Sequence, residues 1–186
     1  DMMEAGICVV RIGEFAWSRL EPSSGDLRFE WLDEAVEVLA AAGLKIVMGT
    51  PTATPPKWLV DAHPEILAVD ENGDTRGYGS RYCFSSPTFR TLSERIVRLM
   101  GERYAHHPAI IAWQTDNEYG CHDTILSYSA AARARFPAWL EARYGTVEAL
   151  NQAWGTVFWS MEVSEFSQVE APVGTVTEPH PAIVLD

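Results

Sequence analysis

The side chains best equipped for chemistry lie together in Trp113-Gln114-Thr115-Asp116-Asn117-Glu118-Tyr119-Gly120. An apolar run, Ala109-Ile110-Ile111-Ala112-Trp113, leads straight into three polar residues and a glycine. Such a run, β-branched at its centre, is expected to form a strand buried on both faces. Asp116, Asn117 and Glu118 then stand at its carboxyl end, where α/β sheets bind their ligands. A carboxyl group mounted there can shuttle a proton, and an amide beside it can hold a hydroxyl. Cleavage of a glycosidic bond uses that equipment. One carboxyl must stay protonated to reach the leaving oxygen, while a second, ionised one faces the anomeric carbon. An amide donating to the sugar 2-hydroxyl binds more strongly in the transition state. The plain alternative for the same residues is a solvated turn, since Asp, Asn and Gly are ordinary turn formers.

Three β/α steps must position this string. Ile7-Cys8-Val9-Val10-Arg11-Ile12 reads as a buried strand after Gly6, which has the character of a helix C-terminal cap. Gly13-Glu14 follows, so Glu14 is either a second active-site carboxylate or a structural one holding an arginine or amide. Leu32, Ala35, Val36 and Leu39 repeat at helical spacing, and Gly43 ends that helix. Lys45-Ile46-Val47-Met48-Gly49 is the next strand. Residues 50–86 form a long, proline-rich connection, and loops of that length usually carry function. Ser86-Pro87 opens a helix whose stripe is Phe89, Leu92, Ile96 and Leu99, ending at His106-His107-Pro108. After Gly120 a helix is expected through Ser127–Arg143 with a break before Pro137. A shorter helix, capped by Thr146, then runs to Gly155, and Glu170–Pro181 reads as loop. Repeated strand and helix imply parallel strands with helices outside. Three units cannot close an eight-stranded barrel, which takes about 250 residues. The expectation is a fragment of a (β/α)8 TIM barrel, residues 1–186 forming one incomplete domain, with a smaller open α/β sheet as the alternative.

Composition narrows the partners. The chain has 186 residues, 47% of them hydrophobic, and a formal charge of −12. That charge repels phosphate backbones and anionic bilayers, which argues against nucleic acid and membrane partners. No run is long enough to span a membrane. Three scattered cysteines without a C-x-x-C pair suit a reducing compartment, so a cytoplasmic location is expected.

Longer strings are similar to glycoside hydrolase family 42, the β-galactosidases. They are Arg11 to Pro22, Thr50 to Leu59, Tyr82-Cys83-Phe84-Ser85-Ser86-Pro87, Trp113 to Gly120, and Ala153 to Ser160. The similarity runs in register along nearly the whole chain. It implies the second to fourth β/α units of a (β/α)8 barrel and a retaining mechanism on terminal β-D-galactose. Glu118 matches the general acid/base, Asn117 the neighbouring sugar-binding asparagine, and Arg81 is the candidate substrate-binding arginine. A surface or carboxylate-paired arginine is the alternative for Arg81. The nucleophile expected from the family is a glutamate on a later strand, beyond Asp186. Trp58, Trp154 and Trp159 could line a sugar subsite or pack in the core; Trp154 is the subsite candidate because loops after the fourth strand border the site. Some family members hold zinc through a cysteine cluster. Cys83 matches one such ligand, but Cys121-His122-Asp123 stands where a cysteine-rich run is expected. Zinc takes about four ligands, so neither metal nor cofactor is expected. The resemblance also implies a homo-oligomer, with trimers frequent in the family. A barrel glycosidase of other sugar specificity and a non-catalytic sugar-binding or structural fragment are the competing readings.

Overall fold

Three apolar runs become three parallel strands. In a computed structural model, which describes residues 1–75, 82–120, 126–173, 183 and 186, they are β1 (Val9–Ile12), β2 (Lys45–Gly49) and β3 (Ile110–Gln114). Their order in the sheet is β1-β2-β3. Parallel neighbours require crossover connections. Helices α1 (Trp17–Leu20) and α2 (Glu30–Ala41) join β1 to β2, while α3 (Lys57–Ala62) and α4 (Pro87–Tyr104) join β2 to β3. Helices α5 (Ala130–Tyr144) and α6 (Val147–Trp154) follow β3. Val9 pairs with Lys45 and Ile12 with Met48, one residue for one. Between β2 and β3 the register slips once: Ile46 pairs with Ile110 but Val47 with Ala112, leaving Ile111 as an extra residue.

Alternation along the strands decides what the helices cover. Val10, Ile12, Ile46, Met48 and Ile110 share one apolar core with Leu32 and Val36 of α2 and Phe89, Ile96 and Met100 of α4. Ser86 accepts the Phe89 N–H at 3.3 Å and Pro87 takes the first helical position, so α4 starts where its sequence signal lies. A part-buried ion pair ties the helices to the connection after β1. Glu21, fully buried, accepts two hydrogen bonds from Arg95 of α4 at 2.5 and 2.6 Å. It also accepts from Trp17 Nε1 at 3.0 Å and the Gly25 N–H at 2.7 Å, while its backbone carbonyl accepts from Trp58 Nε1 at 2.8 Å. A second core gathers Leu140, Leu150, Trp154 and Val169 around α5 and α6.

Three expectations change. Only β2 is deeply buried: Val9, Ile111 and Trp113 are 44%, 56% and 36% exposed. A continuous apolar run suits a strand covered on every side, and among the described residues β2 alone has strand neighbours on both edges. The connection after β2 is folded rather than open, with α3, two short 3-10 turns and bridges Leu67–Tyr82 and Val69–Thr75. Finally, α5 runs unbroken through Pro137. A proline forfeits its own N–H bond, but α5 is anchored on both sides of it, by the Ser129 cap on Ala132 N and by fully buried Leu140.

Candidate active site

The carboxyl ends of the three strands meet at backbone distance. A Cβ placed on Gly49, at the end of β2, would lie 2.7 Å from the Glu14 Cβ, so only glycine lets the exits of β1 and β2 touch. Gly13 turns this corner at φ +101°, a conformation that favours glycine. Glu14 is thereby drawn over the sheet's end and accepts the Arg11 Nε–H at 2.9 Å.

The string after β3 folds around Asp116, which is 4% exposed. Its carboxylate accepts the Tyr82 hydroxyl at 2.7 and 2.8 Å, the Thr52 hydroxyl at 2.7 Å and the Asn117 N–H at 2.8 Å. Its own N–H donates to Thr50 Oγ1 at 2.7 Å. Thr50 and Thr52 come from the end of β2, so Asp116 bolts the β3 exit to its neighbour. Burial, and then the hydrogen bond to Asp116, push the Tyr82 phenol well above its ordinary range, so it stays a neutral donor. Asp116 and Glu118 both adopt left-handed backbone, φ 56° and 48°. Non-glycine residues in that region cost about 1–3 kcal/mol each and persist where surrounding bonds impose them.

Between these two residues sits half-buried Asn117. Its Oδ1 accepts from Gln114 Nε2 at 3.2 Å, and the same Nε2 donates to the Asp116 carbonyl at 2.9 Å. Gln114 Oε1 accepts from Arg11 at 2.6 Å. Glu118 is exposed at the top of the turn. The structure therefore brings Glu14, Arg11, Gln114, Asp116 and Asn117 into one bonded network at the strand ends, with Glu118 next in the chain.

Arg81 and Cys121-His122-Asp123 lie outside the described residues. Trp154 belongs to the second core, 5% exposed, with its Nε1 donating to Asp186 at 2.7 Å. Trp58 packs against the first core. Trp159 is 70% exposed at φ 57°. Cys83 is buried and accepts the Ser129 hydroxyl at 3.1 Å. His107 Nδ1 accepts the Ala109 N–H at 3.2 Å, closing the turn between α4 and β3. Among the described residues no group of three or more His, Cys, Asp or Glu side chains could hold a metal ion. Asp116 and Gln114 went unassigned in the sequence. Their partners lie up to 103 positions away, and no local spacing marks them.

Parallel strands alternating with helices, and a carboxyl–amide pair at a strand's carboxyl end, are the makings of a (β/α)8-barrel glycosidase. Residues 1–186 match glycoside hydrolase family 42, described as β-galactosidase, from end to end. The chain belongs to that family, and its fold is part of the family's barrel. It is 59% identical over 187 aligned residues to a β-galactosidase of Thermus thermophilus, covering 100% of this chain and 29% of that protein. Among solved structures, the β-galactosidase of the psychrophilic Marinomonas ef1 matches at a TM-score of 0.88 and 57% identity, over 97% of this chain and 28% of that one. That of the haloarchaeon Halorubrum lacusprofundi matches at 0.90 and 47%, over 99% and 28%. The chain thus spans less than a third of the length of these relatives.

Proposed function

We propose that this chain carries the acid/base half of a retaining β-galactosidase. The observation that supports it best is the placement of Asn117-Glu118 at the carboxyl end of β3, on a turn fixed by buried Asp116. Glu118, exposed there, protonates the departing glycosidic oxygen as a carboxylate from the remainder of the barrel attacks the anomeric carbon. Glu118, now ionised, takes a proton from water as the water oxygen bonds to the anomeric carbon and the second carboxylate leaves it, which restores both carboxyls. Asn117 Nδ2 donates to the 2-hydroxyl, and Arg81 binds the sugar.

Glu118→Gln in the full-length enzyme tests the assignment. Turnover of unactivated galactosides should fall by about 10²–10⁴-fold, the usual contribution of a positioned proton donor. Aryl galactosides with good leaving groups need no proton and should still give a burst, then stall at the covalent intermediate. Unchanged turnover of lactose-like substrates would remove Glu118 from this role. Aryl β-galactosides set against β-glucosides and β-mannosides read the sugar preference directly.

A further inference from the structure

The bonded groups between Arg11 and Asn117 each have one available role, and the chain they form has a direction. A guanidinium only donates, so the Gln114 atom 2.6 Å from Arg11 is its oxygen. A backbone carbonyl only accepts, so the Gln114 atom 2.9 Å from the Asp116 carbonyl is its nitrogen. Both ends of the Gln114 amide are thereby fixed by partners that cannot exchange roles. The second Nε2 proton then meets Asn117 at 3.2 Å, and the atom receiving it must be Oδ1. Nδ2 is left as the donating end of Asn117. Glu14 completes the chain by accepting from Arg11 Nε, which holds the guanidinium in place.

We propose that Gln114 is a positioning residue that sets which end of the Asn117 amide is presented to substrate. This rests on the reading of Asn117 given above. An asparagine amide is nearly symmetric in shape, so packing alone does not choose between its two orientations. The choice matters chemically. With Nδ2 presented, the sugar 2-hydroxyl accepts a hydrogen bond and keeps its own proton for another partner. With Oδ1 presented, the hydroxyl must spend that proton on Asn117.

The test is Gln114→Glu in the full-length enzyme, a change of one atom that keeps the side chain's shape. One carboxylate oxygen still accepts from Arg11. The other now has no proton for either the Asp116 carbonyl or Asn117: the carbonyl loses its donor, a change felt equally by both substrates, while the Asn117 amide turns to donate to the carboxylate and presents Oδ1 instead. The readout is the ratio of kcat/KM for an aryl β-galactoside to that for its 2-deoxy counterpart. The unmodified enzyme should favour the 2-hydroxyl substrate by about a hundredfold or more. In Gln114→Glu the ratio should fall at least tenfold, through slower turnover of the 2-hydroxyl substrate with the 2-deoxy rate little changed. Equal slowing of both substrates, with the ratio kept, is what a merely structural role gives and would overturn the proposal. Gln114→Leu, which removes the donor without adding a charge, provides the same readout should the glutamate variant not fold. Asn117→Ala separates the two layers. A ratio unaffected by Asn117→Ala dismisses the role of Asn117 itself. A ratio lost in Asn117→Ala but kept in both Gln114 variants dismisses Gln114 alone.

Discussion

Asp116 shows how much of a site lies behind the residues that do its chemistry. Three donors converge on its carboxylate, and its own amide is held by a fourth partner; all but half-buried Asn117 are buried. Asp116→Ala strands the Tyr82 and Thr52 hydroxyls and the Asn117 N–H. With a buried unpaired donor costing about 1–3 kcal/mol, the loss should reach about 3–5 kcal/mol. The turn would keep only its backbone bonds to Thr50 and Gln114 and lose the side-chain anchor that helps impose left-handed backbone at residue 116, so kcat should fall along with the melting temperature of the full-length enzyme. Full activity in a folded Asp116→Ala protein would show that the turn keeps its shape without this anchor. Asn117 and Glu118 were legible in the sequence because a strand signal and a polar string adjoin. Asp116 read as one more turn former, since its partners at 34 and 64 residues' separation are an ordinary tyrosine and threonine.

The helices were legible for a different reason: their signals are local. Ser86 with Pro87 marks the start of α4, and Thr146 and Gly155 mark the two ends of α6, each through bonds to groups a few residues away. Pro137 misled because the cost of a missing N–H is local whereas the anchorage that outweighs it is not. The clamp at Glu21 joins α1 and α4 and has its own pH signature. Burial works to raise the Glu21 pKa, but the hydrogen bonds from Arg95, Gly25 and Trp17 and the Arg95 charge outweigh it and hold the group below its ordinary value. A carboxylate lowered in the folded state adds stability that is fully present above its unfolded pKa. That stability is lost as pH falls through the lower folded value. Glu21→Gln should therefore destabilise at neutral pH, by about 2 kcal/mol once the partial exposure of Arg95 is allowed for. The difference should shrink as pH falls below the ordinary glutamate value of about 4.3 and vanish only below the lower folded value, where the unmodified protein has lost the same charge. Urea titrations at pH 7 and pH 3.5 measure both arms, and a pH-independent difference would rule out the ion pair as its source.

At the scale of the whole molecule, the described residues form a three-stranded parallel sheet with helices packed on it, and that class could be read from the alternation of strand and helix alone. Burial of β1 and β3 could not. An apolar run reports the environment its residues require, and part of that environment is not formed among the residues described. Among those residues no helix is long and apolar enough to cross a membrane. The exposed Val9, Ile111 and Trp113 mark surfaces that the rest of a barrel would cover. On the proposal that the nucleophile belongs to that remainder, purified residues 1–186 should release no aryl alcohol from an aryl β-galactoside. Turnover by the isolated chain would place both carboxylates within it.

The slip at Ile111 has a consequence of parity. Paired residues of neighbouring strands share a face, and faces alternate along each strand. Counting from Ile46–Ile110 without the slip, Gly49 would stand beside Trp113, and Gln114 would project on the opposite side. The single extra residue makes odd into even, so that Gln114 pairs with Gly49 and joins the face that carries Arg11. One isoleucine with no partner of its own thus decides that the amide reaching Asn117 and the guanidinium holding it can meet at all.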